Sequence, residues 1–170
     1  MRWDDLFEDL EAQAEHGRRE DLAAEVADRT AREEATVALA DRLRAATAEV
    51  TWVLHDGWAV TGAVLGAGPG WSLVGERDGR QVLVPTHAVA LLRGVPAHSA
   101  APAGPVAARR TFLMAVRALA GARERVTVRT TAGAVPGTIR RVCADHLDVE
   151  DGAGARTIPF GAVLAVLERG

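Results

Sequence analysis

The sequence predicts an α+β fold in which N-terminal helices precede two copies of a small unit, each a helix plus a five-stranded β-barrel. Three observations predict it. The apolar period changes from helical to alternating at Val50. A stretch rich in Pro, Ala and Gly interrupts the chain around residues 94–105. Beyond about residue 125, the Gly, Pro and apolar anchors found after Val50 return in the same order.

The elements follow in chain order. Trp3, Leu6, Phe7, Leu10 and Ala14 share one face of a helix over residues 2–15, broken at His16-Gly17. A second helical stretch runs from about Glu20 to Thr47, with an interruption expected near Thr30 and Leu22, Val26, Leu39 and Leu43 on its apolar stripe. The run Thr36–Leu39 also suits a short strand. From Val50 to Leu54 alternate residues are apolar, and Asp56-Gly57 then signals a hairpin. Further strands are expected over Trp58–Leu65, Trp71–Val74, Gln81–Val84 and Ala88–Leu92, with Asp78-Gly79 as a second tight turn. Pro105 suits the first turn of a helix reaching about Ala122. The expected divisions are an acidic helical segment (1–34), a first helix-plus-barrel repeat (35–95), a Pro/Ala linker (96–105) and a second repeat (106–170).

The repeat is carried by matched anchors. Val126-Thr127-Val128 answers Val50-Thr51-Trp52, and Gly133 answers Gly57 at the same spacing. Gly137-Thr138-Ile139 answers Gly62-Ala63-Val64, and Ile158-Pro159 answers Val84-Pro85. The offset drifts by only two residues, and each drift falls in a turn. Strand glycines such as Gly62 and Gly137 permit the bend or bulge that a very small sheet needs. A unit of this size holds little core, so each is expected to lean on its helix, on the other unit or on another copy of the chain.

Composition narrows the function classes. No apolar stretch is long enough to span a membrane. The polar, acidic start lacks the apolar segment of a signal peptide, so the expected compartment is the cytoplasm. The single cysteine, Cys143, builds neither a disulfide framework nor a multi-Cys metal site, and a buried, inert thiol is expected. All 20 basic residues are arginine, which matches the Ala/Gly/Val bias of a GC-rich genome and needs no functional cause. The net charge of −3 lacks the global basic footprint of many nucleic-acid binders. Its distribution is uneven: residues 1–48 carry −6 and residues 97–170 carry +4.

The order helix, strand, Gly-turn, Gly-bearing strand and three further strands resembles the Sm-like family. Val50–Val64 and Val126–Ile139 echo its first motif, and Pro85-Thr86-His87-Ala88-Val89-Ala90 echoes its second. The latter is similar to a Lys-His-Ala-Ile segment of the bacterial RNA chaperones in that family; His87 and Ala88 match, and Thr86 replaces the Lys. Family members use this segment to line an RNA-binding pore and to pair subunits into rings. The second copy, Phe160-Gly161-Ala162, lacks both the Lys and the His. Other SH3-like barrels, which take protein partners, give nearly the same pattern.

No catalytic set stands out. His146 and Asp148 share a strand face, as a proton-transfer pair or half a metal site would, but a solvent-facing polar edge explains them as well. Asp56 beside His55 is accounted for by turn geometry. There is no phosphate-binding Gly loop and no nucleophile motif. Six residues are candidates for binding. Trp58 and Trp71 are aromatics able to stack a base or hold a peptide, or else core residues. Trp52 belongs to the core. His87 is carried by the resemblance. Arg129, Arg140 and Arg141, with Arg123 and Arg125 nearby, form a basic patch for phosphates or for pairing with acidic helices.

The expected function is therefore a non-catalytic regulatory or scaffolding protein acting through protein contacts or self-association, without cofactor or metal. The alternative is an Sm-like RNA-binding or other nucleic-acid-binding protein that uses the basic second unit.

Overall fold

The computed structural model describes residues 19, 22–23, 25–30, 32 and 34–168. Two compact units divide the chain, residues 1–37 and residues 38–170. The helix expected over 2–15 lies outside the described residues.

In the first unit, the described residues from 19 to 35 are helical. Thr30, where an interruption was expected, is itself helical, and its hydroxyl donates to the Val26 carbonyl at 2.9 Å. An Asp28–Arg32 ion pair one turn apart supports the same stretch. Helical structure stops at residues 36–38 instead.

The second unit is one antiparallel sheet of ten strands: β1 (Val50–Leu54), β2 (Ala59–Gly68), β3 (Trp71–Gly75), β4 (Gln81–Pro85), β5 (Val89–Arg93), β6 (Arg125–Thr130), β7 (Gly133–Val142), β8 (His146–Asp151), β9 (Gly154–Pro159) and β10 (Val163–Glu168). Three short helices accompany it: α1 (Leu39–Arg44), α2 (Pro105–Ala108) and α3 (Phe112–Ala122). The strand order is β5-β1-β2-β3-β4-β10-β6-β7-β8-β9.

This corrects the expectation of two helix-plus-barrel repeats. The same five-strand order occurs twice, but the two sets form one open sheet, because β10 of the second set pairs with β4 of the first. The register places Val166 opposite Leu83 and Leu167 opposite Val82. The cores interlock at this seam. Val82 and Val84 face the first core, while Leu83 between them belongs to the second. In return, β10 sends Leu164 and Ala165 to the first core and keeps Val163 and Val166 in the second. A strand buried on both faces has no free side to define a separate barrel.

The glycines matched by the repeat sit where strands nearly touch. A Cβ on Gly62 would lie 2.2 Å from the Gly75 carbonyl oxygen, and one on Gly137 would lie 2.6 Å from that of Glu150. Each long strand is bulged just beyond, between Val64 and Gly66 and between Ile139 and Arg141.

The helices also depart from expectation. α1 is short, and the linker is tied along it: Arg42 Nε donates to the Pro96 carbonyl at 2.9 Å, and the Ala100 amide donates to the Asp41 carbonyl at 3.0 Å. The helix expected from Pro105 to Ala122 breaks at Arg109–Thr111. Thr111 restarts it as an N-cap, accepting a hydrogen bond from the Met114 amide at 3.3 Å. Cys143, expected buried, is half-buried.

Candidate functional site

The six candidate binding residues fall in three separate places. The first is the outer face of β7, β8 and β9. Arg140 Nε lies 2.6 Å from Glu150, and Arg141 Nε lies 3.0 Å from Asp148. Arg156 is paired with Asp151 at 2.6 Å at the end of β8. A hydrogen bond from Thr157, then the Arg141 guanidinium, hold the Asp148 carboxyl below its usual range. Arg156, then the Ala153 amide, do the same for Asp151. Of the arginines that read as a phosphate patch, Arg140 and Arg141 thus each face a carboxylate. Asp148 stands directly opposite Arg141 across the β7–β8 pair, while Arg140 reaches Glu150 from the bulge between Ile139 and Arg141.

The second place is the turn between β1 and β2, where it meets β6. The Arg129 guanidinium lies 4.9 Å from the centroid of the Trp58 ring. Its Nε is also 2.6 Å from Asp56. Asp56 accepts from the Trp58 amide at 3.0 Å, so the turn aims both its acid and its indole at one arginine. His87 lies close by in the chain of contacts. Its carbonyl is 3.1 Å from His55 Nε2, and its own Nε2 is 3.2 Å from the Val163 carbonyl. Trp58, Arg129 and His87 therefore fasten the first five strands to the second five.

Burial works to raise the Asp56 carboxyl, but the Trp58 amide and the Arg129 guanidinium outweigh it and hold Asp56 below the ordinary range. A carboxylate with a lowered folded value stabilises the fold fully above its unfolded value, about 3.9. That contribution disappears as pH falls through the folded value. Melting temperature is expected to be flat from pH 7 to about pH 5 and to fall below about pH 4. Asp56→Asn should cost about 1–3 kcal/mol at pH 7 and make the acid limb shallower. Thermal melts of both proteins across this range check it; parallel curves would detach Asp56 from the effect.

The third place surrounds Trp71. Its indole Nε1 donates to the Arg110 carbonyl at 2.7 Å, which ties β3 to the start of α3. The ring lies against Gly68, where a Cβ would come within 2.7 Å of Nε1. Beside it opens a groove of about 520 Å³ between α3 and strands β3 and β4. Leu73 and Leu83 form its floor, and Met114, Ala118 and Leu119 form its helical wall. The lining is mostly apolar, with Arg110 and Thr111 before α3, Glu124 after it, and Gln81 on β4.

No protein-family model matches the sequence, and no curated protein is significantly similar to it.

Trp71 is the one groove residue among the six binding candidates. The missed signal is in α3 itself. Its eleven residues, FLMAVRALAGA, include one charge, Arg117, yet only Val116 is fully buried. A helix apolar on nearly every side is normally buried throughout. Here Met114 is 52% exposed.

The chemistry available elsewhere is limited. His146 Nδ1 is 2.6 Å from Asp145, while Asp148 is occupied by Arg141 and Thr157. Among the described residues, no group of three or more His, Cys, Asp or Glu side chains is placed to hold a metal ion. Among them, too, no helix is long and apolar enough to cross a membrane.

Proposed function

We propose that this protein is a non-catalytic binding protein that works through protein–protein contact, self-association included, and that it does so in the cytoplasm. The observation that carries the reading is the apolar groove beside α3, walled by a helix whose outer side is apolar and exposed. Contiguous exposed apolar surface costs free energy in water and marks contact sites. Trp71, Met114 and the leucines supply the adaptable, large apolar area that interface cores favour. A regulatory or scaffolding role fits such a surface on a fold with a rigid, interlocked sheet beneath it.

The nucleic-acid reading has less behind it. Arg129, Arg140 and Arg141 each hold a carboxylate already, so a phosphate would have to displace an existing ion pair.

Two measurements test the reading together. Fluorescence anisotropy with a mixed single-stranded RNA pool is expected to show no binding at physiological salt. Affinity capture with the full chain is expected to retain a protein, this chain or another, and Met114→Glu should reduce the retained amount at least about tenfold. RNA binding that persists at physiological salt and weakens in Arg140→Ala/Arg141→Ala would reverse the preference. Capture that is indifferent to Met114→Glu would remove the groove.

A further inference from the structure

We propose that the groove is filled by α3 of a second copy of this chain, the two helices running antiparallel about a two-fold axis; this rests on the reading of the groove as a protein-contact surface. Charge selects the occupant. Arg110 and Glu124 flank α3 on opposite sides, both line the groove, and neither has an ion pair among the described residues. Between them lie the eleven residues of α3, roughly 16 Å of helix, with non-helical residues at either end. In a two-fold pair, a contact from residue i to residue j is always returned from j to i. An antiparallel copy centred at position 117, midway between them, therefore sets Arg110 beside the partner's Glu124 and Glu124 beside the partner's Arg110. A parallel copy would bring like charges together.

The helix surface suits this approach. At helical spacing, Thr111, Met114, Ala118 and Ala122 form one stripe along the groove. Small side chains at 118 and 122 let two helices come to about 8 Å. Arg117, the single charge within α3, does not line the groove, so no arginine pair meets at the axis. The partner helix would cover Leu73, Trp71 and Met114 and close the apolar surface that α3 leaves open.

The test is sedimentation equilibrium of the full chain from low to high micromolar concentration at neutral pH. A reversible two-chain species is expected. Arg110→Glu and Glu124→Arg, at exposed positions outside the core, should each weaken it on the order of 100-fold. The double variant should recover association to within a few-fold of the parent, because the reversed charges again face each other. Ala118→Arg should abolish it. A chain that sediments as a single copy throughout, or a double variant as weak as either single one, overturns the proposal. A single-copy chain that still captures a different protein, with loss in Met114→Glu, overturns the pairing while leaving the protein-contact reading of the groove in place.

Discussion

Leu147→Ala, a change in the second half of the sheet, is expected to lower the unfolding midpoint reported by Trp52, Trp58 and Trp71, which lie in the first half. Leu147 on β8 is fully buried in the second core, and removing its side chain from such a site costs about 2–5 kcal/mol. In the compact unit, Trp52, Trp58 and Trp71 all belong to the β1–β3 region. If the two sets of five strands unfolded independently, their fluorescence would not register a defect in β8. The seam says otherwise. Leu83 of β4 completes the second core, Leu164 and Ala165 of β10 complete the first, and Arg129 of β6 is clamped between Asp56 and Trp58. Loss of either core strips packing from a strand that the other one needs. Tryptophan fluorescence and far-ultraviolet circular dichroism should therefore give one coincident urea transition, displaced by roughly 1–2 M. An unmoved fluorescence transition beside an early loss of β6–β9 amide protection would show that the seam does not couple the halves.

Trp52 carries the second large effect. It is the largest fully buried side chain, central in the first core, on a strand held by β2 on one side and β5 on the other. Trp52→Ala should cost about 3–5 kcal/mol, from lost apolar contact and the cavity left behind. Trp52→Phe should cost far less, about 1.5 kcal/mol or under. The indole Nε1 has no protein acceptor within reach, so phenylalanine removes a buried, unpaired donor while retaining most of the ring contact. The contrast between the two variants is the prediction, and urea denaturation of both measures it. Equal losses would mean that the Nε1 group is satisfied and contributes to stability.

Much of the strand pattern is legible in sequence because its cause is local. Val50, Trp52 and Leu54 alternate with less buried neighbours, and β1 shows that alternation in its burial. Asp78-Gly79 and Asp56-Gly57 mark turns because glycine reaches positive φ there, +87° and +82°. The anchors of the repeat are equally local, and Gly62 and Gly137 stand at the same tight approach to a neighbouring strand. The break before Thr111 was not legible, because Pro105 is a helix-start signal and the Thr111 cap shows only in the structure.

The candidate site was less legible. Reading arginine side chains one strand at a time suggested a patch, since Arg140 and Arg141 are adjacent in sequence. Cross-strand partners decide whether such charges are free, and register sets those partners. The groove was hidden for a related reason. Its floor comes from Leu73 and Leu83 and its wall from Met114 and Ala118, residues far apart in the chain that share no spacing rule.

By itself, the sequence determined the strands, their turns and the doubling of a five-strand order, because side-chain alternation, glycine conformations and turn chemistry act over a few residues. Only the tertiary structure decided that the two sets form one open sheet instead of two closed units. The runs Val82-Leu83-Val84 and Val163-Leu164-Ala165-Val166 are apolar without alternation, which in a strand means burial on both faces. Such a run states that something must cover the second face. It does not state what, because the side chains that pack on that face come from elements remote in the chain and are chosen by the free energy of the whole core.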